Sequence, residues 1–147
     1  MSEIGKIIPL IILAPLFPVS LIFLFSRVSG WQILARRYPL RGIFPKPKTR
    51  MGYGVFRGWI GYNGGIIVAS DSAGLYLRAM PVLLSFCHDP IFIPWSEIRQ
   101  INKEEGILSL GYQIITTQAP EVRFALRPST FKLIRADAER AKVAGQY

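Results

Sequence analysis

Between Lys6 and Arg27 the chain runs through twenty uncharged residues, IIPLIILAPLFPVSLIFLFS, in which Ser20 and Ser26 are the only side chains that can hydrogen-bond. At a rise of about 1.5 Å per residue, such a run covers about 30 Å as a helix, the hydrocarbon thickness of a bilayer. The pattern predicts a single N-terminal transmembrane helix over residues 7–27. Pro9, Pro15 and Pro18 interrupt it, because each lacks an N–H and crowds the carbonyl one turn back. Membrane helices accept proline where a neighbouring helix helps to satisfy the freed carbonyls. Those three prolines are therefore the expected contacts with a partner helix. The competing reading is a cleaved signal peptide. Its apolar core is usually only about 7–15 residues, and Arg27 stands where the cleavage region should not be strongly basic.

Beyond the run, Ser29 is placed to cap a short helix whose apolar residues Trp31, Leu34, Ala35 and Tyr38 fall at helical spacing, with Pro39 as its stop. Residues 40–51, with Pro45 and Pro47 among four cations, read as an extended, stiff basic linker. From Tyr53 the period changes from 3.6 to 2. A first strand through Ile60, a tight turn at Asn63-Gly64-Gly65 and a return strand IIVAS make a hairpin. Asp71 to Gly74 turns the chain into LYLRAM, where Leu75, Leu77 and Ala79 alternate with Tyr76, Arg78 and Met80. An irregular stretch, Pro81 to Pro90, leads to IFIPWSEIRQI, in which Trp95 is expected in the core; the same is expected of Trp59. GILSLGYQIITT places Leu108, Leu110, Tyr112 and Ile114 on one face. EVRFALR places Val122, Phe124 and Leu126 on one face. Pro128-Ser129-Thr130 then opens a helix with an apolar stripe of Phe131, Ile134, Ala138 and Ala141. Six or seven antiparallel strands and one terminal amphipathic helix fit a small capped β-barrel, because an open sheet of that size needs its apolar face covered.

Charge sharpens the picture. The chain carries +9, but residues 27–57 hold eight cations and no acid, while residues 58–147 hold nine basic and eight acidic residues. The excess is thus a block placed directly after the apolar run. That position favours a membrane surface over nucleic acid, for which no RNP-like or zinc pattern exists. Eight cations follow the span and one, Lys6, precedes it, so the positive-inside rule places the N-terminus outside and the C-terminal domain in the cytoplasm. The residues expected to meet the anionic headgroups are Arg27, Trp31, Arg36, Arg37, Tyr38, Arg41, Lys46, Lys48 and Arg50, since rings tolerate the polar–apolar boundary and cations meet phosphate; the alternative for Trp31 and Tyr38 is that they pack on the soluble domain. The lone cysteine, Cys87, excludes an internal disulfide framework, fits a reducing compartment and lies too far away to carry a lipoprotein anchor.

The elements GLYLRA (Gly74 to Ala79), IPWSEI (Ile93 to Ile98), ITT (Ile115 to Thr117) and VRFAL (Val122 to Leu126), with the closing helix, resemble the GRAM/pleckstrin-homology-like superfold. The similarity is to its small bacterial membrane-anchored members and covers residues 52–143. The resemblance implies a bent antiparallel barrel of six or seven strands capped by a C-terminal helix, non-catalytic, binding lipid headgroups or protein segments. Lipid-binding members concentrate cations between the first two strands. The turn read at Asn63-Gly64-Gly65 puts Tyr62 and three small residues there instead, which argues against headgroup recognition by that loop.

Catalysis needs titratable groups converging on one point, and the inventory is thin. Cys87 and His88 are adjacent, so in an extended stretch they point to opposite faces and cannot form a nucleophile and base pair. With Asp89 they would still lack a fourth metal donor. No enzyme, cofactor, metal or small-molecule substrate is expected. The domains read as 7–27 transmembrane helix, 28–51 basic juxtamembrane helix and linker, and 52–143 β domain. The expected function is an accessory or assembly subunit of a bacterial inner-membrane complex, with an integral membrane protein partner. The alternative is a module that binds anionic phospholipid headgroups.

Overall fold

The computed structural model describes residues 16–80, 87–104 and 111–146. Pro9, Pro15 and the rest of residues 7–15 lie outside the described residues, as do 81–86, Leu108 and Leu110. The expected span is described from α1 (Leu16–Ser29) onward. Pro18 stands in its first described turn and is exposed, and Ser20 Oγ donates to the Leu16 carbonyl at 2.7 Å. Fourteen residues cover about 21 Å. No single helix among the described residues is long and apolar enough to cross a membrane. Helix α2 (Trp31–Arg37) follows after Gly30, and the two axes bend by 68°.

The strands are β1 (Thr49–Phe56), β2 (Ile60–Ser70), β3 (Gly74–Ala79), β4 (Ile91–Pro94), β5 (Ile98–Lys103), β6 (Tyr112–Thr116), β7 (Phe124–Leu126) and the short β8 (Gly145–Gln146). They form one sheet in the order β4-β3-β2-β1-β7-β6-β5-β8. Every pairing is antiparallel except β5 with β8. The seven antiparallel strands make a nearly closed, barrel-like sheet. Two devices produce its curvature. First, β4 and β5 lie towards opposite edges, and a 3-10 turn at Trp95–Glu97 carries the chain from one to the other. The stretch IFIPWSEIRQI is thus two strands, because Pro94 ends the first ladder. Second, β1 is shared by both halves, pairing with β2 along its length and with β7 at Gly54 to Phe56.

The first hairpin differs from its expected form. Its turn is Arg57-Gly58-Trp59, with Arg57 at φ 53° and Gly58 at φ 82°, whereas Asn63-Gly64-Gly65 lies inside β2. Tyr53 opposes Asn63 but Gly52 opposes Ile66, so Gly64 and Gly65 form a bulge. Gly64, at φ 69°, bends the strand there. A glycine-rich tripeptide signals positive φ, and a bulge uses that freedom as readily as a turn. Trp59 at the hairpin tip is 70% exposed, so its expected place in the core is corrected, whereas Trp95 is buried.

The terminal helix is split into α3 (Pro128–Phe131) and α4 (Arg135–Arg140). Phe131, Ile134 and Ala138 are buried, while Ala141 is exposed and Val143 completes the cover instead. The cover is pinned where Thr130 Oγ1 accepts the Tyr53 N–H at 3.0 Å and Ser70 Oγ donates to Asp137 Oδ2 at 2.6 Å. Inside, Leu75, Leu77 and Ala79 face the core as their alternation required, as do Val122, Phe124 and Leu126. Phe56 and Phe124 stack at 5.3 Å between centroids.

Candidate functional site

The opposite end of the barrel is closed by the chain's own N-terminal elbow. Trp31 and Leu34 are fully buried and belong to the same core cluster as the strands. Trp31 packs against Phe56 at 5.4 Å, Tyr62 at 5.5 Å and His88 at 5.3 Å, and its Nε1 donates to the Asp89 carbonyl at 2.9 Å. Gly30 makes the bend possible, at φ 84°. A Cβ there would also lie 2.7 Å from Val122 Cγ1. Arg57 of the hairpin turn, His88 ahead of β4 and Val122 of the β6–β7 loop all pack against this elbow.

A buried polar chain joins helix to barrel. Ser29 Oγ and the Tyr62 hydroxyl are 2.9 Å apart, and that hydroxyl lies 2.9 Å from His88 Nε2. Ser26 Oγ donates to the Cys87 carbonyl at 2.6 Å, and the Phe25 ring sits 5.0 Å from that of Tyr62. Arg57 Nη1 donates to the Val28 carbonyl at 3.2 Å, so the hairpin holds the C-terminus of α1. At the end of α2, the Tyr38 hydroxyl accepts the Gln118 N–H at 2.8 Å and donates to Glu97 Oε2 at 3.2 Å. Arg37 Nη1 donates to the Gln118 carbonyl at 3.2 Å.

Burial pushes the Tyr62 phenol well above its ordinary pKa, while the bond with Ser29 pulls the other way. Burial also raises Tyr38. In Tyr76, burial raises it first and its bond to Asp71 adds to the shift. These shifts set an alkaline limit. Below about pH 10, the ordinary phenol value, the Tyr62 contribution is fully present. Above it, the unfolded chain loses the proton while the fold keeps it, so stability falls by about 1.4 kcal/mol per pH unit for that one group. Denaturant midpoints measured from pH 9 to 11 are expected to fall less steeply in Tyr62→Phe than in the native chain. Equal slopes would show that Tyr62 ionises freely in the fold.

The expected membrane-surface residues separate in space. Arg27, Arg36, Arg37, Arg41, Lys46, Lys48 and Arg50 are exposed. Trp31 and Tyr38 are not, and their placement at the headgroup layer is corrected: their rings fill the barrel mouth. The linker also proves to be docked. Leu40 N–H donates to the Pro90 carbonyl at 3.2 Å, and Phe92 N–H donates to that of Tyr38 at 3.0 Å. Phe44 meets the Tyr76 ring at 6.1 Å. The Lys48 N–H donates to the Val68 carbonyl at 2.8 Å, and its Nζ lies 3.8 Å from Asp137 Oδ2. Residues 38–48 are thus a strap over β4, β3 and β2, leading from the elbow end to the α4 end. Since β1 spans that separation in eight residues, the ends are about 25 Å apart. Arg27, Arg36, Arg37 and Arg57 gather at the elbow, whereas Lys48 and Arg50 lie by the other end.

Among the described residues, no group of three or more His, Cys, Asp or Glu side chains is placed to hold a metal ion. His88 is fully buried against rings, and Cys87 is partly exposed. Comparison with protein-family models, curated proteins and solved structures found no match.

Proposed function

We propose that this chain is a non-catalytic, membrane-anchored accessory subunit. Its apolar N-terminal segment meets the helices of an integral membrane partner, and its GRAM/pleckstrin-homology-like barrel serves as a docking surface on the cytoplasmic side of a bacterial inner membrane. The observation that carries the reading is the exposed apolar surface of α1. Leu16, Phe17, Val19, Leu21, Phe23 and Leu24 are all roughly half or more exposed, on a helix whose other end is locked into the barrel. Single exposed apolar side chains are ordinary, but a continuous stripe of this size requires cover. A groove of about 420 Å3 between Leu21, Ile22 and Phe25 of α1 and the glycine-rich part of β2 offers a seat for a further helix. The order of seven strands and a closing helix is consistent with the barrel that the resemblance implies.

The barrel mouth favours a docking role over capture of a ligand inside it, because Trp31 and Leu34 occupy that space. Since elbow and barrel share one core, a partner that orients α1 also orients the whole domain. Co-purification from gently solubilised membranes followed by mass spectrometry tests the proposal, and recovery with one integral membrane protein in fixed ratio is expected. A lone monomer overturns the partner. A lone monomer that carries anionic lipid supports the second reading, headgroup binding. That reading is favoured by exposed Trp59 beside Arg57, at the hairpin that holds the C-terminus of α1.

A further inference from the structure

The elbow between α1 and α2 encloses a groove of about 320 Å3 lined by Phe23, Gln32, Ala35, Arg36, Cys87 and Asp89. One wall is apolar: the Phe23 ring belongs to the exposed surface of α1 and carries the Arg27 guanidinium 5.7 Å from its centroid. Ala35 adds to the apolar lining, and Gln32, Arg36 and Asp89 make the polar part. Gln32 and Arg36 stand one helical turn apart on the same face of α2. Asp89 is positioned through its main chain, because the buried Trp31 donates Nε1 to its carbonyl at 2.9 Å. Its carboxylate is exposed, and its backbone is tied to the same helix that carries Arg36.

The groove is therefore lined by one cation, Arg36, and one carboxylate, Asp89, beside an apolar wall, with a second cation, Arg27, held over the Phe23 ring. We propose that it binds the headgroup of a zwitterionic phospholipid with a primary ammonium, of the phosphatidylethanolamine type. This rests on the membrane-anchored reading above and names a ligand within it. The phosphate meets Arg36 and the Gln32 amide, since a guanidinium fork matches phosphate oxygens, and Arg27 adds positive charge from beside Phe23. The ammonium donates to Asp89, and an acyl chain leaves along Phe23 and α1. The carboxylate sets the selectivity. A purely anionic headgroup finds Asp89 repulsive. A quaternary ammonium carries no N–H to donate to it, whereas a primary ammonium has three.

The full chain is floated with phosphatidylcholine vesicles containing equal small fractions of phosphatidylethanolamine and phosphatidylglycerol. It is then extracted in mild detergent, and the lipid it retains is measured by mass spectrometry. Phosphatidylethanolamine is expected to be enriched about five-fold over phosphatidylcholine, the upper end of what one exposed ion pair supplies. Asp89→Asn is expected to remove that preference, and Arg36→Gln to lower retention of both lipids. Equal retention by the native chain overturns the proposal, as does enrichment of phosphatidylglycerol above phosphatidylethanolamine or an unchanged preference in Asp89→Asn. A chain that floats without discriminating loses this site alone. One that does not float loses the membrane-anchored reading as well.

Discussion

Replacing Trp31 with alanine is expected to cost the fold about 3–5 kcal/mol, the range for deleting a large buried aromatic side chain. The ring is fully buried, it meets Phe56, Tyr62 and His88, and no neighbouring strand can collapse into its space without opening the barrel. Its indole N–H also satisfies the Asp89 carbonyl, which would be left without that donor. Against a typical domain stability of about 5–15 kcal/mol, that loss leaves a marginal protein. The measurement is the denaturant midpoint of the detergent-solubilised full chain, with near-ultraviolet circular dichroism for the tertiary signal. Trp31→Phe restores most of the packing and lacks the indole donor, so it is expected to fall between the two. A loss within about 0.5 kcal/mol, the usual range for an exposed position, would return Trp31 to the membrane surface.

The opposite dissociation is expected for α1. Phe17 and Leu21 are 70% and 50% exposed and stand one turn apart. In a bilayer, an aspartate near the centre of a helix costs about 2.5–3.5 kcal/mol, so Phe17→Asp with Leu21→Asp approaches about 6 kcal/mol. That is roughly four powers of ten in the partition between membrane and water. Alkaline extraction of membranes is expected to leave the native chain in the pellet and release the double variant. The same variant is expected to keep a denaturant midpoint close to native, because both side chains are largely exposed and so contribute little to the fold. Release of the native chain itself by alkali would remove the anchor. Together the two experiments separate the residue that closes the barrel from those that the proposed anchoring assigns to the membrane.

The strands were largely legible from period alone. Leu75, Leu77 and Ala79 of β3 and Val122, Phe124 and Leu126 near β7 read as inward-facing and are buried. Alternation reports a half-buried strand wherever the strand sits. The errors have one kind of cause. Trp31, Leu34, Ala35 and Tyr38 form an apolar face at helical spacing, which an interfacial helix and a helix packed in a core both require. Asn63-Gly64-Gly65 marks freedom for positive φ, which turns and bulges share. Trp59 is an aromatic residue directly after the turn glycine Gly58, and local sequence does not say whether such a ring points inward. The Ser29–Tyr62–His88 chain was not legible at all, since its members are separated by 33 and 26 residues.

The apolar N-terminal segment, the acid-free block of eight cations after it, and a β domain ending in a helix are written in the order of the residues alone. Each is a local property, readable from composition or period along a few neighbouring residues. Where those pieces go is a matter of the folded arrangement. It seats Trp31 in the barrel mouth, lays residues 38–48 as a strap over the sheet, and spreads one run of cations over both ends of the barrel. Such placements depend on packing and hydrogen bonds between residues far apart in the chain, and on which surface leaves room for them.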